Sequence, residues 1–200
     1  MALEQSSMEI LRPRNPGAAR LELRDATAED HATVDEAYSR FDLSELAGYR
    51  TFLRAQHACL EPLEAALTAA GAERLLPAWP SRRRTGLLKQ DLKDLGVRIE
   101  AEPTLAVLPD LSEPAGVLGA IYVLEGSRFG GSVLARRVRP GAPSRFLGAG
   151  TEPQAWRTLV AALDHHLGDE PALATAAACA SAVFAAFASA ARRQLEPALG

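Results

Sequence analysis

Apolar side chains recur at steps of three and four residues along most of this chain, and no useful stretch alternates in the two-residue rhythm of a half-buried strand. A stripe of that period winds with the 3.6-residue turn, so each segment carrying it buries one side of a helix. The first stripe is Leu23, Thr27, His31, Val34, Tyr38 and Phe41, which predicts one helix from about Leu21 with His31 facing inward. A second is expected from a cap at Ser44 over Leu46, Tyr49, Leu53, Leu60, Leu63 and Leu67 to Gly71, bent at Pro62 because proline lacks the backbone donor. A third runs from about Arg82 to Gly96, with Arg82, Arg83 and Arg84 in its opening turn. Beyond a proline-bearing connection from Glu102 to Pro114, further helices are expected from about Ala115 to Arg137, Thr151 to Leu167 and Pro171 to Leu195. Six helices and no internal repeat predict an all-α, single-domain bundle over residues 20–196. Residues 1–19, with Pro13, Asn15, Pro16 and Gly17, read as a flexible lead-in.

A net charge of -3 and a pI near 5.8 leave no broad basic surface for nucleic acid or an anionic membrane. The N-terminus lacks the apolar centre of a signal peptide, and the longest apolar run, Val117 to Leu124, is too short to span a bilayer. A cytoplasmic protein is the expectation. Cys59 and Cys179 stand in no metal-ligand spacing and read as small apolar residues.

Two features carry chemistry. Asp35 follows His31 by four residues, one turn along the same side of a helix. A metal-bound imidazole commonly gives its second ring N–H to a carboxylate, which fixes the tautomer and strengthens the other nitrogen as a ligand. The same pair also fits a core histidine beside a solvated aspartate. The second feature is the segment LGAIYVLEGSRFGGSVLARRV, where Gly119, Gly126, Gly130 and Gly131 interrupt an apolar helix although each interior glycine costs roughly 1 kcal/mol relative to alanine. Gly119, Gly126 and Gly130 share one face, so either a flat ligand or another helix can touch the bare backbone, and the Gly130–Gly131 pair permits a kink. An inward histidine and a bare helix together describe two walls of a slot for a planar cofactor such as haem. His57 reads as a boundary residue, His165 and His166 as a solvated helix end, and Arg82 to Arg84 as a solvated face or a docking patch for an acidic donor. No phosphate-binding loop, dinucleotide fingerprint or nucleophile elbow occurs.

The runs LRDATAEDH (Leu23 to His31), PLE (Pro62 to Glu64), LLKQDLKDLG (Leu87 to Gly96) and LGAIYVLEGSRFGG (Leu118 to Gly131), with the helix around Trp156, resemble the biliverdin-producing haem oxygenases, above all the bacterial branch associated with phytochromes. The likeness covers roughly residues 21–190. It implies an all-α bundle with haem, both prosthetic group and substrate, between the first helix and a kinked glycine-rich distal helix. His31 would be the proximal iron ligand, Asp35 its acceptor, Arg24 a contact for a haem propionate and Tyr122 a residue at the haem edge. Gly126, Gly130 and Gly131 would be the distal glycines. Ser127 stands where the animal enzymes place an aspartate, and Arg128 and Phe129 are bulkier than the family's threonine and leucine, which puts Arg128 near the distal edge or a propionate. The implied reaction consumes dioxygen and electrons from an external ferredoxin or flavin reductase, and its biliverdin could pass to a bacteriophytochrome. A haem carrier or sensor without turnover, and a haem-free bundle of the same shape, are the alternatives at this stage.

Overall fold

The computed structural model describes residues 15–99 and 109–196. Within them the chain forms α1 (Ala18–Ala26), α2 (Ala28–Ser39), α3 (Leu46–Ala69), the short turns α4 (Ala72–Leu75) and α5 (Trp79–Arg82), α6 (Thr85–Asp94), α7 (Pro114–Ala135), the short α8 (Arg145–Gly148), α9 (Pro153–His166) and α10 (Glu170–Leu195). No strand occurs among the described residues. Most of the lead-in and of the Glu102–Pro114 connection lies outside the described residues.

The expected first helix is two helices. Thr27, with φ -114° and ψ 14°, leaves the helical region, and its buried hydroxyl bonds the Leu23 carbonyl at 2.7 Å. A β-branched residue whose hydroxyl donates to a main-chain carbonyl one turn back supports such a break. The first of the two starts at Ala18, earlier than Leu21, because the Asp164 carboxylate of α9 accepts from the amides of Gly17 at 2.6 Å and Ala19 at 3.2 Å. A carboxylate there satisfies orphan donors and meets the positive end of the helix dipole. The same device starts α6, three residues later than expected. Glu64 of α3 accepts from the amides of Arg84 at 2.7 Å and Thr85 at 3.1 Å. α3 begins after Glu45 rather than at a Ser44 cap, since the Ser44 hydroxyl bonds Asp42, and it continues through Pro62.

α10 is the hub. Its alanine-rich surface packs against α7, α3, α2 and α1. By length and composition it is long and apolar enough to cross a membrane, although Thr175, Ser181 and Ser189 break its apolar run; in the bundle it is a core helix. Asp169 caps it by accepting from Ala172 N at 2.9 Å. α7 is buried around most of its first half, from Ala115 to Glu125, as expected of a helix that is apolar all round.

Gly119 is where α7 and α10 meet. A Cβ on it would sit 2.1 Å from the carbonyl oxygen of Ala176, so the two backbones touch. Gly119→Ala is therefore expected to lower stability by about 1–3 kcal/mol, or roughly 3 °C of Tm per kcal/mol in a chain of this size. Thermal melting of the apoprotein checks this.

Candidate functional site

Further along α7 the helices part. A cavity of about 510 Å³ opens there, within the range of roughly 300–1,000 Å³ usual for cofactor pockets. α2 contributes His31, Val34, Asp35 and Tyr38; α3 contributes Phe52 and Gln56; α10 contributes Phe184 and Phe187. α7 forms the facing wall from Tyr122 to Leu134. A Cβ added at Gly126 or at Gly130 would meet nothing within 4 Å. The three glycines that share a face thus have two roles: Gly119 lets α10 approach, whereas Gly126 and Gly130 border open space. Gly131 belongs partly to packing, because its Cβ would lie 3.2 Å from the Leu147 carbonyl oxygen. α7 stays helical through Gly130 and Gly131.

His31 lines this space and is not sealed in the core. Its side chain is 60% exposed, its ring meets Phe184 edge-on at 5.5 Å, and Nδ1 lies 3.1 Å from Asp35 Oδ2. The stripe of which it is part splits accordingly: Leu23, Thr27 and Phe41 are buried, while Val34 and Tyr38 are half-buried along the cavity. With Nδ1 on the carboxylate, Nε2 has no partner among the described residues. That is the arrangement of an imidazole ready to ligate. Next to it, Asp30 accepts from Ser181 of α10 at 2.5 Å and pins this turn of α2.

The Tyr38 hydroxyl, two turns beyond His31, is closed off from solvent and has no partner among the described residues. Burial first, and then Cys59, push its pKa well above the usual phenol value. Tyr122 is half-buried; burial raises its pKa against the opposing charges of Arg20 and Arg24. Arg24 is not in the cavity wall: its guanidinium grips Asp25 at 2.7 Å and is 59% exposed. Arg20, one turn earlier, lines the cavity instead. Phe129 meets Trp156 edge-on at 4.9 Å and closes part of one side.

Arg128 also differs from expectation. It stands two residues from Gly126 and two from Gly130, about 200° round the helix from each, and so faces away from the cavity. There it is 8% exposed, with Nε 3.0 Å from Glu125 Oε1, Nη1 donating to Ala149 O, and Nη2 donating to Arg82 O. Glu125 is shared with Arg82 Nη1 at 3.0 Å.

The run Arg82 to Arg84 is not a solvated face. Arg82 and Arg84 are 6% and 4% exposed, and only Arg83 keeps a substantially exposed side chain. Arg84 reaches the cavity: Nη2 donates to Ser127 Oγ at 2.6 Å and Leu124 O at 3.0 Å, and the guanidinium lies 4.9 Å from the Phe146 ring centroid. Asp91 fixes that ring by accepting from Phe146 N at 2.9 Å and from Arg145 at 2.9 Å. The sequence held a signal for this. Glu64 and Glu125 stand on apolar helix faces, and a buried carboxylate needs cations or amides around it.

The remaining histidines stay outside the cavity. His57 is buried deeper than a boundary residue and pairs with Glu61 at 2.7 Å, which also holds Lys89. His165 and His166 lie at the end of α9, the first exposed.

No family model matches the chain. A haem oxygenase of Xanthomonas campestris pv. campestris is 36% identical over 145 residues, which is 70% of this chain and 86% of that protein. Among solved structures, the NO- and CO-bound haem oxygenase of Neisseria meningitidis superposes with a TM-score of 0.71 over 91% of this chain and 94% of that one, at 23% identity, and so shares the fold.

Proposed function

The chain belongs to the haem oxygenase family, and on that premise we propose that the cavity holds haem between His31 and the bare backbone of α7. The activity is oxidative opening of the porphyrin to biliverdin, with release of iron and carbon monoxide. The observation that carries this reading is the open space at Gly126 and Gly130 in the same cavity as the partner-free Nε2 of His31. The residues fit such an occupant: two facing walls, an aromatic and aliphatic lining, and a phenol hydroxyl, Tyr38, that lacks a partner within the protein.

When bound, haem supplies both the iron that activates dioxygen and the ring that is oxidised. His31 would hold the metal through Nε2, with Asp35 beside Nδ1 to fix the tautomer; loss of such a partner typically costs roughly 10- to 100-fold in affinity or activity. As a neutral imidazole it would donate less strongly to the metal than a thiolate. Gly126 and Gly130 admit a flat ligand and a diatomic against the main chain, with Gly131 and Ser127 beside them. Arg20 offers a cation to the porphyrin carboxylates near Tyr122, and Arg24 reinforces the positive charge there. Arg128 acts from behind the wall, through Glu125. Phe129 and Trp156 restrict water on one side. Residues 20–196 form the working unit in the cytoplasm. Electrons come from an external ferredoxin or flavin reductase, and the bilin product suits delivery to a bacteriophytochrome.

Loading the protein with ferric haem without oxygen, then adding reductant and air, tests the reading. The Soret band is expected to decay while a red-absorbing bilin and carbon monoxide accumulate. A persistent spectrum under those conditions would instead identify a carrier or sensor.

A further inference from the structure

α1 has little of its own to hold it in place. Its nine residues are fewer than the roughly 12–15 that an isolated helix needs in water, and only Ala19 and Leu23 among them are buried. The first turn carries no acidic residue, and Gly17 has no side chain with which to cap it. At the other end the backbone leaves the helical region at Thr27, so continuity with α2 does not dictate how α1 lies. Its start is held instead from α9. Asp164 Oδ2 accepts from Gly17 N at 2.6 Å and Oδ1 from Ala19 N at 3.2 Å, across 147 and 145 residues of chain. Val160, one turn before Asp164, completes the seat: a Cβ on Gly17 would lie 3.7 Å from Val160 Cγ1.

The residue that follows Ala19 is Arg20, which is half-buried and lines the cavity. Unlike Arg24, whose guanidinium grips Asp25, Arg20 makes no hydrogen bond or ion pair among the described residues. Its charge is felt at the Tyr122 hydroxyl of α7. The place of this cation therefore follows from the backbone of residues 17–20, and Asp164 is what fixes that backbone. A long side chain on a fixed stem has less freedom left to lose when it meets a ligand, so the anchored arrangement binds more tightly.

We infer that Asp164 is a positioning residue for the cavity: by capping α1 from α9 it holds Arg20 where the guanidinium meets a carboxylate of the bound ligand. This rests on the cavity taking haem. Each carboxylate oxygen of Asp164 bonds one amide, and the pair faces the positive end of the helix dipole, so its charge contributes as well as its shape.

The test is titration of the apoprotein with ferric haem and with haem dimethyl ester, in which both carboxylates are blocked, read from the Soret band. Asp164→Ala is expected to weaken haem on the order of tenfold, a factor within reach of a lost helix cap, and to leave the affinity for the ester unchanged. Asp164→Asn should fall between the two, because an amide oxygen still accepts from a backbone N–H without the charge; it also carries the test if Asp164→Ala does not fold. In an Arg20→Gln background, Asp164→Ala should weaken haem no further, since the two changes remove one interaction. Unchanged haem affinity in folded Asp164→Ala overturns the inference. So does an equal loss for haem and the ester, which would mean that the cap only keeps the cavity in shape. Additive losses in the double variant overturn it as well, by separating Asp164 from Arg20. Failure of the unmodified protein to bind haem removes the reading beneath the inference and the inference with it, whereas failure of the variants to show these differences leaves haem binding standing.

Discussion

His31→Ala is expected to abolish normal axial ligation, with loss or displacement of the Soret band and disappearance of the iron–histidine stretch in resonance Raman spectra. The ring stands in the cavity wall with Nδ1 on Asp35 and Nε2 unused by the protein. No other described histidine lines the same space. His57 is committed to Glu61, and His165 and His166 lie at the far end of α9, so none can substitute. Turnover should fall by more than the roughly 10- to 100-fold that loss of an outer partner costs. The folded apoprotein should hardly notice: the side chain is 60% exposed, and substitutions at such positions usually stay within about 0.5 kcal/mol. Added imidazole should restore part of the Soret band by filling the space left by the side chain. An unchanged spectrum and stretch in the variant would show that the iron is held elsewhere.

Gly130→Leu is expected to separate catalysis from stability just as sharply. Nothing lies within 4 Å of a Cβ at this position, and leucine replaces glycine inside a helix with a gain of up to about 1 kcal/mol in propensity. The apoprotein should melt at the same temperature or slightly higher. The new side chain would stand in the slot, where a displacement of about 1 Å can cost on the order of 100-fold in rate. Turnover should therefore drop by at least that factor, with Gly130→Ala intermediate. Gly119→Ala, on the same face of the same helix, is expected to do the reverse by destabilising the protein through its contact with Ala176. Full activity in Gly130→Leu would mean that no ligand presses against the main chain of α7 at this glycine.

That contrast shows how far sequence reading reaches. The shared face of Gly119, Gly126 and Gly130 follows from helical phase, which is a local property, and so does the four-residue step between His31 and Asp35. Which glycine touches another backbone depends on where α10 crosses α7, and nothing within α7 records the crossing. Arg128 is a different lesson. Its phase, about 200° from both Gly126 and Gly130, already pointed it away from the cavity, yet the motif's order along the chain suggested a distal contact. Phase was the better guide because a helix sorts residues by angle and not by adjacency.

The helical stripes, the glycine face and the imidazole–carboxylate pair were determined by the sequence itself, since each depends only on residues within a turn or two of one another. The burial of Arg82, Arg84 and Arg128 was decided by the tertiary structure. Three consecutive arginines are solvated unless something distant compensates them, and here Glu64 and Glu125 arrive from helices 20 and 43 residues away along the chain. The free energy of a charge depends on what surrounds it in space, and only the packed bundle brings those carboxylates, the Ser127 hydroxyl and the Phe146 ring to the guanidinium groups that the local sequence would have left in water.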